Sequence, residues 1–130
     1  MDEIWVQMHD AARAVQRPRE VNDRVYAGGV AAAVQSTTGA IYTGVCVDTS
    51  CTLGICAERS AILAMLTAGD DGIRRVLAVM PDGTCAAPCG ACRELMAQIM
   101  AGRTGEVEVM VDYEAGRVAT LADLTPNWWL

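Results

Sequence analysis

The stretch CAERSAILAMLTAGDDGIRRVLAVMPDGTCAAPCGAC, from Cys56 to Cys92, decides how the rest of the chain is read. Its first part carries Ala61, Ile62, Met65 and Leu66 in an almost wholly apolar run from Cys56 to Ala68. That run predicts a helix, terminated by Gly69-Asp70-Asp71-Gly72. A helix so poor in polar residues belongs in the interior. Ile73 to Met80 then reads as a strand buried on both faces, and Pro81-Asp82-Gly83 breaks it. After Pro88 a second helix carries Cys92, Leu95, Met96 and Ile99 on one face.

Working outward, Ile4, Met8, Ala11, Ala12 and Val15 share one stripe of a helix running roughly from Asp2 to Arg17, which Pro18 ends. The lone histidine, His9, lies off that stripe and reads as a solvated surface residue. From Val25 to Val34 the chain is apolar and compatible with a strand. Ser36-Thr37-Thr38-Gly39 turns it into Ile41-Tyr42-Thr43-Gly44-Val45, predicting a hairpin. Gly28-Gly29 inside the first of these strands marks a bulge, a close approach to a ligand, or a weak strand start. Glu106 to Val111 alternates in polarity as a further strand, and Gly116 to Thr120 reads as a short last one. The order α-β-β-α-β-α-β-β predicts a layered α/β domain.

Length and charge narrow the function classes. A chain of 130 residues, 52% apolar and 20% charged, is expected to form a single domain spanning residues 1–130. No run approaches the roughly 18 uninterrupted apolar residues of a membrane span. The acidic start Met1-Asp2-Glu3 lacks the basic character of a secretory signal, so a cytoplasmic protein is expected. The formal charge is -6, and the ten basic residues are all arginines, dispersed from Arg13 to Arg117. A surface that tracks phosphates needs a basic stripe, which disfavours large nucleic acid as a partner. With phenylalanine absent, the core must be built from Ala, Val, Leu, Ile and Met. That is thin packing for a small monomer, and it favours a bound metal or subunit burial.

Six cysteines without an export signal point to metal binding rather than to a disulfide framework. Cys89-Gly90-Ala91-Cys92 puts two thiols one turn apart at a helix N-terminus, where the dipole favours thiolate. By itself that pair also fits a thiol redox motif. Cys56-Ala57-Glu58 opens the other apolar helix, so two helix N-termini can converge on one point. Three cysteines leave a tetrahedral zinc one open position, as in catalytic rather than structural sites. Glu58, within the same turn as Cys56, is suitably placed to exchange a proton with water there.

Cys56-Ala57-Glu58 followed by Pro88-Cys89-Gly90-Ala91-Cys92 resembles the small, three-cysteine cytidine deaminases, over about Val30 to Arg93. Leu124-Thr125-Pro126 is similar to the Leu-Leu-Pro near that family's C-terminus. The resemblance implies a three-layer α-β-α fold with a mixed five-stranded sheet, in a homotetramer. It implies Zn2+ on Cys56, Cys89 and Cys92, with Glu58 as the proton shuttle of a hydrolysis that converts a cytosine ring to uracil and releases ammonia. Arg59 matches the arginine that donates hydrogen bonds to the zinc thiolates and so offsets their negative charge.

The chain departs from the nucleoside-specific pattern where the sugar would be held. Cys46 stands in place of an asparagine that grips hydroxyls, and Asp48 in place of a glutamate. The aromatic of the first strand falls at Gly28, with Tyr26 two residues away. Glu94 stands where glutamine is common, and the loop between Asp48 and Cys56 is one residue shorter than usual. The candidate substrate-binding residues are therefore Cys46, Asp48, Ala57, Gly28, Tyr26 and Trp129. The last matches a C-terminal aromatic that closes a neighbouring subunit's pocket, or else packs an interface. The blasticidin S deaminases, which act on cytosine joined to an aminated sugar, also depart from the nucleoside pattern near this strand. Alternatives are a zinc-stabilised scaffold without turnover and a redox protein using Cys89 and Cys92. Cys51 and Cys85 have no role in the pattern and are expected to be buried and inert.

Overall fold

The computed structural model describes all 130 residues. The chain runs through α1 (Glu3–Val15), β1 (Arg19–Glu20), β2 (Tyr26–Ser36), β3 (Ile41–Asp48), α2 (Ala57–Thr67), β4 (Ile73–Val79) and α3 (Gly90–Ile99). After a 3-10 turn at Thr104–Glu106 come β5 (Glu108–Asp112), β6 (Arg117–Thr120) and α4 (Leu121–Leu124). The helices and long strands fall where periodicity and breakers place them. The two-residue β1 and one-turn α4 are additions that no sequence period marks.

β2 is the hub of the sheet. β3 pairs with it antiparallel on one side, while β4 and the short β1 share its other side; β5 then joins β4 in parallel, and β6 pairs β5 antiparallel. The five expected strands are present, with β1 as a sixth against the start of β2. The single parallel pair follows from the connection through α3, because a parallel neighbour requires a crossover.

Strand alternation divides the core into two layers. Ala32, Val34, Val76, Ala78 and Val109 face α2 and α3, packing with Ala61, Ile62, Met65, Cys92 and Met96. Ala31, Ala33, Leu77, Val79 and Met110 face the opposite way and receive Trp5, Met8 and Ala12 from α1. The run of alanines in β2 lets helices approach from both faces. At Gly44 in β3 the approach is tightest: a Cβ there would lie 2.4 Å from the Ala61 nitrogen and 2.6 Å from Ser60 Cβ. Glycine is what allows α2 to sit this low on the sheet.

Two expectations are corrected. His9 is half-buried rather than solvated, because Tyr113, just past β5, comes up beneath α1 and stacks on its ring at 4.0 Å and 11°. Burial, reinforced by Arg13, pushes the His9 pKa below its ordinary value. Cys51 is exposed rather than buried, since the loop between β3 and α2 turns outward there. Cys85 is partly buried, and burial drives its thiol pKa up to about 11, consistent with an inert thiol.

Candidate metal and active site

α2 and α3 begin at the same place in space. Cys56 is the N-cap of α2 and Cys89 the N-cap of α3, with Cys92 one turn into α3. The three sulfurs lie within 4.8 Å of one another. Cys56 Sγ is 3.3 Å from Cys89 Sγ, and Cys89 Sγ is 3.5 Å from Cys92 Sγ. Tetrahedral zinc with Zn–S bonds of about 2.3 Å sets its sulfurs ~3.8 Å apart. The cluster therefore has the donor type of a zinc site, and two of its sulfur pairs are a few tenths of an ångström closer than zinc would set them.

The electrostatics ask for a cation. Burial, the Glu58 charge and the neighbouring thiols push the Cys92 pKa far up. Burial also works against the Cys89 thiolate, yet the Cys92 and Ala91 amides and the other two thiols hold its pKa below the usual thiol value. The two thiols of α3 are thus shifted in opposite directions, and a bound cation would favour the thiolate form of both. Arg59 supplies part of that charge: its Nη2 donates to Cys56 Sγ at 3.6 Å, and this bond leads the causes that raise the guanidinium pKa.

Beside the cluster opens a cavity of about 360 Å³, mostly apolar in its lining. Cys56, Ala57, Glu58, Arg59 and Cys89 form its metal end, and Cys46 and Asp48 line it from β3. Glu58 is 6% exposed, and burial raises its pKa, opposed by its own backbone amide and by Arg59. A carboxyl whose pKa burial raises, at the edge of an apolar cavity, is the ordinary equipment of a general acid–base.

Not every candidate from the sequence reaches this cavity. Gly28 and Tyr26 lie outside its lining, and Tyr26 is 44% exposed. Gly28 has φ +80, and a Cβ on it would meet the Arg17 carbonyl oxygen at 2.2 Å, so no aromatic can occupy that position in this backbone. Trp129 also stands clear of its own chain's cavity, 72% exposed, with Nε1 donating to Glu94 Oε1 at 2.7 Å. Cys46 does reach the cavity, but its sulfur accepts the Val30 amide at 3.2 Å.

Several lining residues escaped the sequence reading. Val30 comes from within β2, Met80 directly follows β4, and Ala86 and Ala87 belong to the segment before Pro88. Arg93 was also missed: Nε donates to the Pro88 carbonyl at 2.8 Å and Nη1 to that of Leu124 at 2.9 Å, bracing the start of α3 against the C-terminal segment. Its place directly after Cys92 was the available signal.

A family model described as the cytidine and deoxycytidylate deaminase zinc-binding region matches residues 5–107. The chain belongs to that family. Its fold is shared with the crystal structure of cytidine deaminase from Mycobacterium leprae: TM-score 0.77 and 29% identity, over 97% of this chain and 100% of that one. The cytidine deaminase of Burkholderia pseudomallei superposes with TM-score 0.75 and 26% identity, over 99% and 100% of the two chains. The Mycobacterium tuberculosis enzyme matches with TM-score 0.80 at 24% identity over 99% of each chain, a likeness of fold. With the cysteine cluster, membership makes the chain a zinc-dependent hydrolytic deaminase. No helix of this deaminase is long and apolar enough to cross a membrane.

Proposed function

We propose that this deaminase acts on a cytosine nucleoside or close analogue, replacing the exocyclic amine of the ring with oxygen and releasing ammonia. The observation that carries the reading is Glu58, buried at the cavity edge one helical turn from the thiol cluster. A zinc that served structure alone would have no use for that carboxyl, which weighs against a scaffold without turnover.

Cys56, Cys89 and Cys92 hold the zinc, which when bound supplies a Lewis acid that generates a nucleophile from water at neutral pH. Glu58 would take one proton from the attacking water and pass it to the ring nitrogen beside the reacting carbon, then take the second from the hydroxyl now on that carbon and hand it to the amine, which leaves as ammonia while the carbonyl forms. Arg59 offsets the negative charge of the thiolates through its bond to Cys56. Ala57, fully buried, and Val30 and Ala78 offer an apolar slot for a flat ring.

A second reading, an aminated nucleoside of the blasticidin S type, is favoured by the β3 wall. The Cys46 sulfur is engaged with the Val30 amide and offers no amide to a sugar, which leaves Asp48 as the carboxylate of that wall. A carboxylate suits an amine as well as a hydroxyl.

The protein is further proposed to work in the cytoplasm as a homotetramer. Its six free cysteines suit a reducing compartment, and exposed Leu53, Leu63 and Leu66 suit burial against other subunits, where Trp129 would close a neighbour's cavity. Ammonia release from zinc-loaded protein is the test, with cytidine, deoxycytidine, cytosine, methylated cytidines and blasticidin S as substrates and Glu58→Gln alongside. Release that Glu58→Gln lowers by roughly 100-fold or more supports the reading. Equal release by both proteins refutes the role of Glu58, and no release from any substrate refutes the substrate class.

A further inference from the structure

β2 carries a wide irregularity where it passes the cavity. Ala27 pairs with Val47 and Ala31 with Val45, so three residues of β2 lie between these pairs where β3 has one, Cys46. Pairing with β4 starts only at Ala31, opposite Val79. Gly28, Gly29 and Val30 are thus left without regular partners in the ladder, although Val30 lines the cavity. Unpaired backbone groups in such a bulge cost stability and order unless other donors and acceptors meet them.

Two side chains meet them from opposite directions. The Cys46 sulfur accepts the Val30 amide. From the other side, Gln16, the C-cap of α1, directs its Nε2 to the Gly29 carbonyl at 2.9 Å and the Met80 carbonyl at 2.9 Å, with the Val79 carbonyl at 3.3 Å. Arg13 Nη1 donates to Gln16 Oε1 at 3.2 Å, which fixes the amide with its nitrogen toward the carbonyls. One primary amide thereby supplies the rung that the ladder lacks between the bulge and the end of β4.

We propose that Gln16 is a positioning residue that sets the cavity wall formed by Val30 and Met80. The proposal rests on the reading of that cavity as the substrate site. Gln16 lies outside the cavity lining and acts through backbone carbonyls that flank or belong to lining residues. Met80 also opens the turn that leads through Ala86 and Ala87 to Cys89; its amide bonds the Thr84 carbonyl, and Ala86 bonds back to Ala78. Holding Met80 therefore orders one side of the substrate slot while the metal ligands, anchored by α2 and α3, stay where they are. Gln16 thus governs how well the ring is gripped, and has little hold on the chemical step.

The test uses two replacements of equal length: Gln16→Met, which has no donor, and Gln16→Glu, which turns acceptors toward three carbonyl oxygens. Zinc content, steady-state kinetics on the best substrate and amide hydrogen exchange are measured for each. Expected are stoichiometric zinc, kcat within about twofold of the parent, and KM raised roughly tenfold for Gln16→Met and further for Gln16→Glu. The Val30 amide should exchange faster while those of Ala33 and Val34, deep in the ladder, keep their parent rates. An unchanged Val30 rate, or all three amides accelerating together through general loss of stability, would overturn the proposal. If the parent releases no ammonia, the substrate reading fails separately, and the exchange pattern still decides the role of Gln16.

Discussion

Cys56 Sγ and Cys89 Sγ lie 3.3 Å apart although 33 residues separate them in the chain. Both are helix N-caps, Cys56 Sγ accepting from Arg59 Nη2 of its own helix and Cys89 Sγ lying 3.5 Å from Cys92 Sγ of its own. Their lone pairs and the partial positive charge of two helix ends are directed into one volume, which is where the metal belongs.

Removing the metal should therefore loosen both helix starts at once. Chelation is expected to lower the melting temperature in calorimetry, the native state losing about 4 kcal/mol relative to protein at free zinc a thousandfold above its Kd. Cys89→Ala should abolish stoichiometric zinc as measured by elemental analysis. A variant that keeps its full zinc complement would remove Cys89 from the ligand set.

Gly44→Ala tests the closeness of α2 to the sheet. The added Cβ has no room against Ser60 and Ala61, so α2 must lift, carrying Cys56 and Glu58 with it. A loss of about 1–3 kcal/mol in chemical denaturation is expected, with weakened zinc retention. Parent-like stability and affinity would show that α2 yields without cost.

The thiols outside the cluster should differ in reactivity. The Leu53 amide, followed by the Thr49 hydroxyl, lowers the pKa of exposed Cys51, whereas burial holds that of Cys85 up at about 11. In zinc-loaded protein at neutral pH, alkylation followed by mass spectrometry should label Cys51 first and Cys85 much later. Labelling in the reverse order would contradict the described loop.

Asp70 ties the β2–β3 turn to the end of α2, accepting hydrogen bonds from the Tyr42, Ser36 and Thr38 hydroxyls. Led by the Tyr42 bond, these hold its pKa below the ordinary carboxylate value. A depressed folded-state pKa contributes stability above the unfolded value, near pH 4, and loses it as pH falls through the folded value. Tyr42→Phe should therefore lower the melting temperature by a constant amount between pH 5 and 8. The gap to the parent should narrow below about pH 4. A gap that stays constant into acid would mean Asp70 draws nothing from Tyr42.

How much of the site could be read in advance depended on whether its contacts are local. Glu58 follows Cys56 by two residues, and Cys92 follows Cys89 by three, so one turn of helix brings each pair together and spacing reveals it. The bulge at Gly28 to Val30 was open from the sequence as one of three choices, because glycines permit a bulge without requiring it. The clamp of Gln16 on Gly29 and Met80 had no signature, since a glutamine at a helix end is ordinary until other strands arrive beside it.

What the sequence by itself determined is the order of elements, the apolar helix α2 and the metal-binding triad with its carboxyl, because helical period, breakers and ligand spacing are properties of neighbouring residues. The tertiary structure decided that Cys46 bonds the backbone of Val30, that Trp129 stands clear of its own cavity, and that His9 stacks on Tyr113. Each of these joins residues from different elements. Their meeting is set by strand register and by how closely helices pack on the sheet, which depend on the burial of the whole core and on no local pattern.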